Sequence, residues 1–145
     1  MYSKKQLLKI LETIRAAKLN APNAFVSAPL ADLQKICNGI GADWQSEASR
    51  RKLTRMMSYA EASAAIHDWQ YYMSNGSESW RAAVDEEFLL NALREIRFKF
   101  KWYNPRRWLA ERAVLVGYCV LQRVGRAAWA IAHCERCKKS KKAKE

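Results

Sequence analysis

The chain has 145 residues, half of them apolar, with only five glycines and three prolines. This length is enough for one domain with its own core, which argues against wholesale disorder and against a fold held together by disulfides or metals. Scarce turn residues argue against a β-sandwich, and abundant Ala, Leu, Arg, Lys and Glu favour helix. The net charge of +12 is unevenly distributed. Residues 1–88 contain 11 basic and 10 acidic residues, whereas residues 89–145 contain 15 basic and 4 acidic residues.

The cysteines and the apolar stretches indicate where the protein works. Four cysteines are too few and too clustered for a disulfide framework: Cys37, Cys119, Cys134 and Cys137. The amphipathic N-terminus lacks the apolar core of a secretory signal. The longest apolar stretch, Ala113 to Leu121, is too short to span a bilayer. We therefore expect a soluble protein of a reducing cytoplasm.

The first third of the chain predicts one helix followed by irregular structure. A helix is expected over Ser3–Lys18, with a buried face formed by Leu7, Leu8, Leu11 and Ile14. Pro22 and Pro29 forbid its continuation. A short helical turn is expected over Ala31–Ile36, and the segment Gly39–Glu47 should be irregular.

Two helices joined by a short turn are predicted in the middle of the chain. The first, Ser58–Met73, aligns four side chains along one stripe: Ala60, Ala64, His67 and Tyr71. The second, Trp80–Ile96, follows the turn at 74–77, with Ser79 as its expected N-cap and these residues facing inward: Val84, Asp85, Phe88, Leu89, Ala92 and Ile96. A short link makes the two helices antiparallel neighbours, which brings Asp85 near the level of His67.

The last third predicts a long helix and a basic tail. Asn104-Pro105 interrupts the helical pattern, and a third long helix is expected over Arg107–Ala132. The lysine-rich end should be disordered. We therefore predict a single all-α domain over 1–133, a compact bundle around the antiparallel pair, and a tail over 134–145.

The segment IHDWQYY at 66–72 contains the pattern His-Asp-x-x-Tyr. A glycine loop, CNGIGADW at 37–44, precedes it, and an acidic position in AAVDEEFLLNAL at 82–93 follows it. In this order the three features resemble the phospholipase A2 superfamily, and most closely its small, disulfide-poor members encoded by bacteriophages and prophages. The resemblance runs from about Cys37 to Trp129.

The resemblance implies calcium-dependent hydrolysis of the sn-2 ester of a glycerophospholipid. His67 would be the general base, Asp85 its orienting partner, and Tyr71 the support of that pair, with Tyr72 as a substitute. Asp68 would bind Ca²⁺ together with loop carbonyls, which suits an ion that prefers oxygen ligands. The loop residues implied in this metal site are Asn38, Gly39 and Gly41. The chain departs from secreted members in its loop, its missing disulfides, and the short interval between His67 and Asp85.

Each of these residues also has an ordinary structural interpretation. His67 can be a simple helix histidine, and Gly39 a helix C-cap. Asp85 can be a solvated residue of an acidic first turn. Cys134 and Cys137 beside His133 resemble half of a zinc site, but no second Cys/His pair is spaced to complete it. We therefore expect that these residues do not form a metal site.

The basic C-terminal part predicts an anionic partner, either an anionic phospholipid membrane surface or nucleic acid. Aromatic residues there alternate with arginines, an arrangement that can stack bases or lie at a membrane interface: Trp102, Tyr103, Trp108 and Trp129 with Arg106, Arg107, Arg112 and Arg126. Most of these tryptophans are nonetheless expected in the core. The alternative to an enzyme is a phage accessory protein that uses this basic part to bind nucleic acid, membrane or a host protein.

Overall fold

The computed structural model describes residues 2–37, 48, 57–74 and 76–142, with side chains up to 123 in the last range. The described residues are helical and include no strand, which confirms the all-α class. The helices of the protein are α1 (Lys4–Ala16), α2 (Asn23–Val26), α3 (Leu30–Ile36), α4 (Glu61–Tyr72), α5 (Glu78–Lys99) and α6 (Pro105–Lys142). A 3-10 turn at Ser58–Ala60 precedes α4. The irregular segment predicted at Gly39–Glu47 lies outside the described residues.

Helix α1 begins at a capping box. The Ser3 hydroxyl accepts a hydrogen bond from the Gln6 amide, and the Gln6 side chain accepts one from the Ser3 amide. Its buried face consists of Leu7, Ile10 and Ile14. The expectation for Leu8 was wrong: this side chain is exposed, because the helical period brings Ile10 onto the core side instead.

The two prolines frame a short helix and do not leave an open loop. Helix α2 starts directly after Pro22 and α3 directly after Pro29, since proline suits the start of a helix, where no N–H bond is needed. Asn91 of α5 holds the preceding link with two hydrogen bonds, to the Asn20 amide at 2.8 Å and its carbonyl at 2.7 Å. These bonds fix the N-terminal part of the chain against the central helices.

Helix α4 lies between two apolar clusters. One face packs against α1 to α3 through Ala62, Ala65, Ile66 and Trp69. The other face packs against α5 and α6, where Ala60 and Ala64 meet Phe88, Ala92, Ile96, Ala110 and Val114. Small residues on α4 allow both neighbours to approach closely.

A buried carboxylate of α5 caps the N-terminus of α4. Ala60, at the cap position, offers no side-chain hydrogen bond. Glu95 accepts from the amides of Ala62 and Ser63, at 3.2 and 2.9 Å, and from the Ser63 hydroxyl at 2.7 Å. Lys99 lies 2.7 Å from the fully buried Glu95 carboxylate and balances its charge. This contact aligns α4 with α5 at one end of the pair.

Helix boundaries differ from the sequence expectation at both long helices. Ser77, not Ser79, is the N-cap of α5, because its hydroxyl accepts from the Trp80 amide. Helix α6 continues to Lys142, through most of the segment predicted as a disordered tail, since residues 118–142 contain no proline and many strong helix formers. No helix in the described part of the chain is long and apolar enough to cross a bilayer.

We predict that Glu95→Gln lowers the free energy of unfolding by about 1–3 kcal/mol, because a buried charge that satisfies two helix-end amides is lost and Lys99 loses its partner. Urea denaturation followed by circular dichroism measures this change. Glu86→Gln, at an exposed position of the same helix, is the control and should stay within about 0.5 kcal/mol of wild type. Equal stability of Glu95→Gln and wild type would contradict the capping role.

Candidate active site

The link between α4 and α5 sets the register of the two helices. Gly76 adopts a positive φ of 86°, which favours glycine, and its amide donates to the Ser74 hydroxyl. Across the link, the Trp80 indole donates to the Gln70 carbonyl at 3.4 Å. The Gln70 side chain also donates to Glu87 at 3.0 Å. The antiparallel arrangement predicted from the short link is therefore present, with several bonds that fix it.

Asp85 is the centre of a buried polar cluster. Its carboxylate is fully buried and takes donors on both oxygens. Oδ1 accepts from His67 Nε2 at 3.0 Å and from the Tyr71 hydroxyl at 2.5 Å. Oδ2 accepts from Arg81 and, at 3.2 Å, from Gln122 of α6. The predicted proximity of Asp85 to His67 is confirmed, and a solvated Asp85 in an acidic first turn is excluded.

The contact with Asp85 determines the tautomer of His67. A carboxylate can only accept hydrogen bonds, so the Nε2 atom that faces Asp85 carries the proton. In the neutral ring Nδ1 then keeps its lone pair and can accept a proton. Tyr71 and Phe88 hold the ring itself, with centroids at 4.1 and 5.2 Å. The His67 side chain is 12% exposed, so most of the imidazole is fixed and shielded.

Tyr71 and Arg81 keep the cluster in one protonation pattern. Burial, followed by the hydrogen bond to Asp85, raises the pKa of Tyr71 far above its ordinary value, so the hydroxyl stays a donor. The hydrogen bonds to Glu78, with the charge of Asp85, raise the pKa of Arg81 against the opposing effect of its burial. Arg81 thus bridges the half-exposed Glu78 and the buried Asp85 as a permanent cation. This cation offsets the cost of burying the Asp85 charge.

Asp68 lies next to the start of the predicted calcium loop. Cys37, the last described residue before that loop, donates to the carbonyl of Ala65 on α4 at 3.5 Å. Ala65 is three positions before Asp68, and therefore on a neighbouring part of the same helix face. Burial, followed by the charge of Asp68, raises the pKa of the Cys37 thiol to about 12, so that the thiol stays protonated. The three predicted loop ligands, Asn38, Gly39 and Gly41, lie outside the described residues.

The donors in this region suit a hard cation. Asp68 supplies carboxylate oxygens, the ligand type that such a cation prefers. Among the described residues, no three His, Cys, Asp or Glu side chains converge on one point. A site made of one carboxylate and several backbone carbonyls does not need such a group. The described residues therefore contribute one suitable ligand, Asp68, to the calcium site that the resemblance implies, and the loop that would complete the site lies outside them.

Sequence reasoning missed three contributors to the cluster. Arg81 stands four residues before Asp85 on the same helix, a spacing typical of an ion pair, so this signal was available. Gln122 is 37 residues away on α6 and has no local signal. Phe88 was assigned to the core, whereas it also contacts the His67 ring. Tyr72, the suggested substitute for Tyr71, is exposed, and Tyr71 itself makes the bond to Asp85.

We predict that Nε2 of His67 carries a proton in the resting protein, because the carboxylate that it faces can only accept a hydrogen bond. Long-range nitrogen–proton correlation NMR spectra of the full chain at neutral pH distinguish the two tautomers by their coupling pattern. Asp85→Asn should change this pattern, because the amide can donate to the ring as well as accept from it. A wild-type His67 with no proton on Nε2 would contradict the assignment.

Comparisons of this chain with protein-family models, with curated proteins and with solved structures find no match. The candidate site is therefore defined by its own geometry. Three side chains selected from the sequence meet in it, His67, Tyr71 and Asp85, with Asp68 one position from the histidine.

Proposed function

We propose that this chain is a calcium-dependent phospholipase A2-like esterase that hydrolyses the sn-2 ester of glycerophospholipids to a lysophospholipid and a fatty acid. The observation that carries the proposal is the contact of His67 and Tyr71 with one buried oxygen of Asp85. The sequence pattern implies this arrangement, although His67 and Tyr71 lie 18 and 14 positions from Asp85 along the chain. The compact phospholipase A2-like arrangement of the bundle belongs to the same proposal.

His67 moves the proton in this reaction. Its Nδ1 takes a proton from a water molecule while the water oxygen bonds to the ester carbonyl carbon. The tetrahedral intermediate then collapses, the bond between the carbonyl carbon and the alcohol oxygen breaks, and His67 returns the proton to the leaving alcohol. Asp85 holds the ring throughout and stabilises the positive charge that the imidazole carries between these two steps.

The remaining residues orient Asp85 or would bind the metal ion. Tyr71, Arg81 and Gln122 occupy the other acceptor positions of Asp85, so that its carboxylate cannot turn away from His67. Asp68 and the carbonyls of Asn38, Gly39 and Gly41 would hold Ca²⁺. When bound, this ion polarises the ester carbonyl and stabilises negative charge on its oxygen.

We predict that His67→Ala lowers the hydrolysis rate by about two to four orders of magnitude, because the general base is lost. Calcium-dependent release of fatty acid from mixed anionic liposomes measures the rate. Asp68→Asn should raise the calcium concentration needed for half-maximal activity, since a charged ligand becomes neutral. Tyr72→Phe, at an exposed position on the same helix, is the matched control and should stay within about twofold of wild type. A His67→Ala protein as active as the wild type would rule out the mechanism.

We also predict that Asp85→Asn reduces the rate by about two orders of magnitude or more at unchanged substrate affinity. The amide no longer stabilises the imidazolium and permits the wrong tautomer. Asp32→Asn, at an exposed position of α3, serves as the control. Circular dichroism of both variants separates lost activity from lost structure, because Arg81 is left without its buried partner. A folded Asp85→Asn protein with full activity would contradict the role of Asp85.

A further inference from the structure

Helix α6 has apolar residues on two opposite sides. Ala110 and Val114 point to the core and are buried. On the far side, exposed apolar residues continue along the described part of the helix: Trp108, Leu109, Leu115, Val116 and Val120. At 100° per residue these side chains lie within an arc of about 140° opposite Val114, and Arg112 and Arg123 lie in the middle of that arc. Helix α6 therefore presents a second apolar surface besides the one that packs in the core.

The turn before α6 extends this apolar surface. Trp102 and Tyr103 are 76% and 64% exposed, and their rings touch edge to face at 5.8 Å. Trp108 and Leu109 are 68% and 69% exposed and line a groove together with Trp102, Tyr103, Pro105 and Arg112. The expectation that these tryptophans lie in the core was therefore wrong for Trp102 and Trp108. The side chain of Trp129 lies outside the described residues. We call the groove residues, with Val116 and Val120, the outer face.

The charges on the outer face are all positive. Lys101, Arg106, Arg112 and Arg123 are exposed on or beside it. Glu111 is the only acidic residue between 100 and 134, and it is paired with Arg97 and Arg107. A second copy that met this face with its own outer face would place cations against cations. Charge complementarity therefore favours an anionic occupant.

The aliphatic residues decide which anionic occupant fits. Nucleic acid gains from aromatic stacking and from cations, but its phosphates and bases gain little from a row of leucine and valine. A phospholipid surface uses all three kinds of side chain. Aliphatic groups enter the acyl region, tryptophan and tyrosine lie at head-group depth, and arginine extends its charged end to the phosphates. Exposed large apolar patches of this extent are otherwise uncommon on a monomeric protein.

We propose that the outer face is the surface by which this protein adsorbs to an anionic phospholipid membrane, with α6 lying in the plane of the interface. Over 105–123 the helix presents a strip about 28 Å long. Gln122, near the end of this strip, also donates to Asp85, so the same helix reaches the candidate active site. This inference extends the proposed function by assigning the lipid surface, and adsorption itself requires no hydrolysis.

Binding to vesicles in a calcium chelator tests the proposal on the full chain. Vesicles of phosphatidylcholine alone are compared with vesicles that also contain phosphatidylglycerol, by co-sedimentation. The test variant is Trp108→Ser with Leu109→Ser. The matched control is Leu8→Ser with Leu90→Ser, which removes two exposed leucines from α1 and α5. Circular dichroism verifies that both variants are folded.

We expect the wild type to bind the anionic vesicles, the test variant at least about tenfold more weakly, and the control within about twofold of wild type. Equal binding by the test variant and wild type would overturn the proposal. So would a wild-type dimer that the test variant converts to a monomer, or duplex DNA binding that depends on Trp108 and Leu109 while vesicle binding does not.

Two further measurements separate this proposal from the esterase. His67→Ala should bind vesicles like wild type, because adsorption does not use the histidine. Hydrolysis of a dispersed short-chain phospholipid should persist in the Trp108→Ser, Leu109→Ser protein. Hydrolysis without vesicle binding would overturn only the proposal that the outer face binds membranes. Vesicle binding without hydrolysis would support that proposal and contradict the proposed esterase activity.

Discussion

Two buried carboxylates of α5 hold α4 in place, and the candidate site depends on both. Glu95 accepts the free amides at the start of α4, while Asp85 accepts from His67 and Tyr71 nearer its end. The two carboxylates are ten positions apart, which is about 15 Å along the helix and close to the length over which α4 offers these donors. A slip of α4 by one turn would remove the hydrogen bonds that α4 donates to both buried carboxylates, which disfavours other registers.

This arrangement explains how α4 and α5 hold His67 against Asp85 without a disulfide in the part of the chain that the structure describes. Each buried carboxylate has its own cation, Arg81 for Asp85 and Lys99 for Glu95, four residues away on α5. The charges are therefore compensated within one helix, and the second helix contributes only neutral donors. Small residues on α4 then allow the apolar clusters on either side to close around the pair. Packing and two ion pairs perform the role that covalent links would otherwise have.

The sequence was sufficient for features that depend on local pattern. Period and turn residues predicted the antiparallel pair, and that pairing placed Asp85 beside His67. Features that depend on tertiary packing were not accessible, because nothing in the sequence connects Gln122 to Asp85 or Glu95 to the amides of α4. The exposed Trp108 was misassigned for a similar reason. Apolar character predicts burial, but only the packed structure shows which side of α6 remains without a neighbour.

The central claim is that His67 directs water to the sn-2 carbonyl carbon, and isotope incorporation tests it most directly. The wild-type protein is incubated with phospholipid vesicles and calcium in water enriched in ¹⁸O, and the products are analysed by mass spectrometry. The account predicts one ¹⁸O atom in the released fatty acid, none in the lysophospholipid, and no enzymatic release with His67→Ala. An ¹⁸O atom in the lysophospholipid, or release that survives His67→Ala, would contradict it.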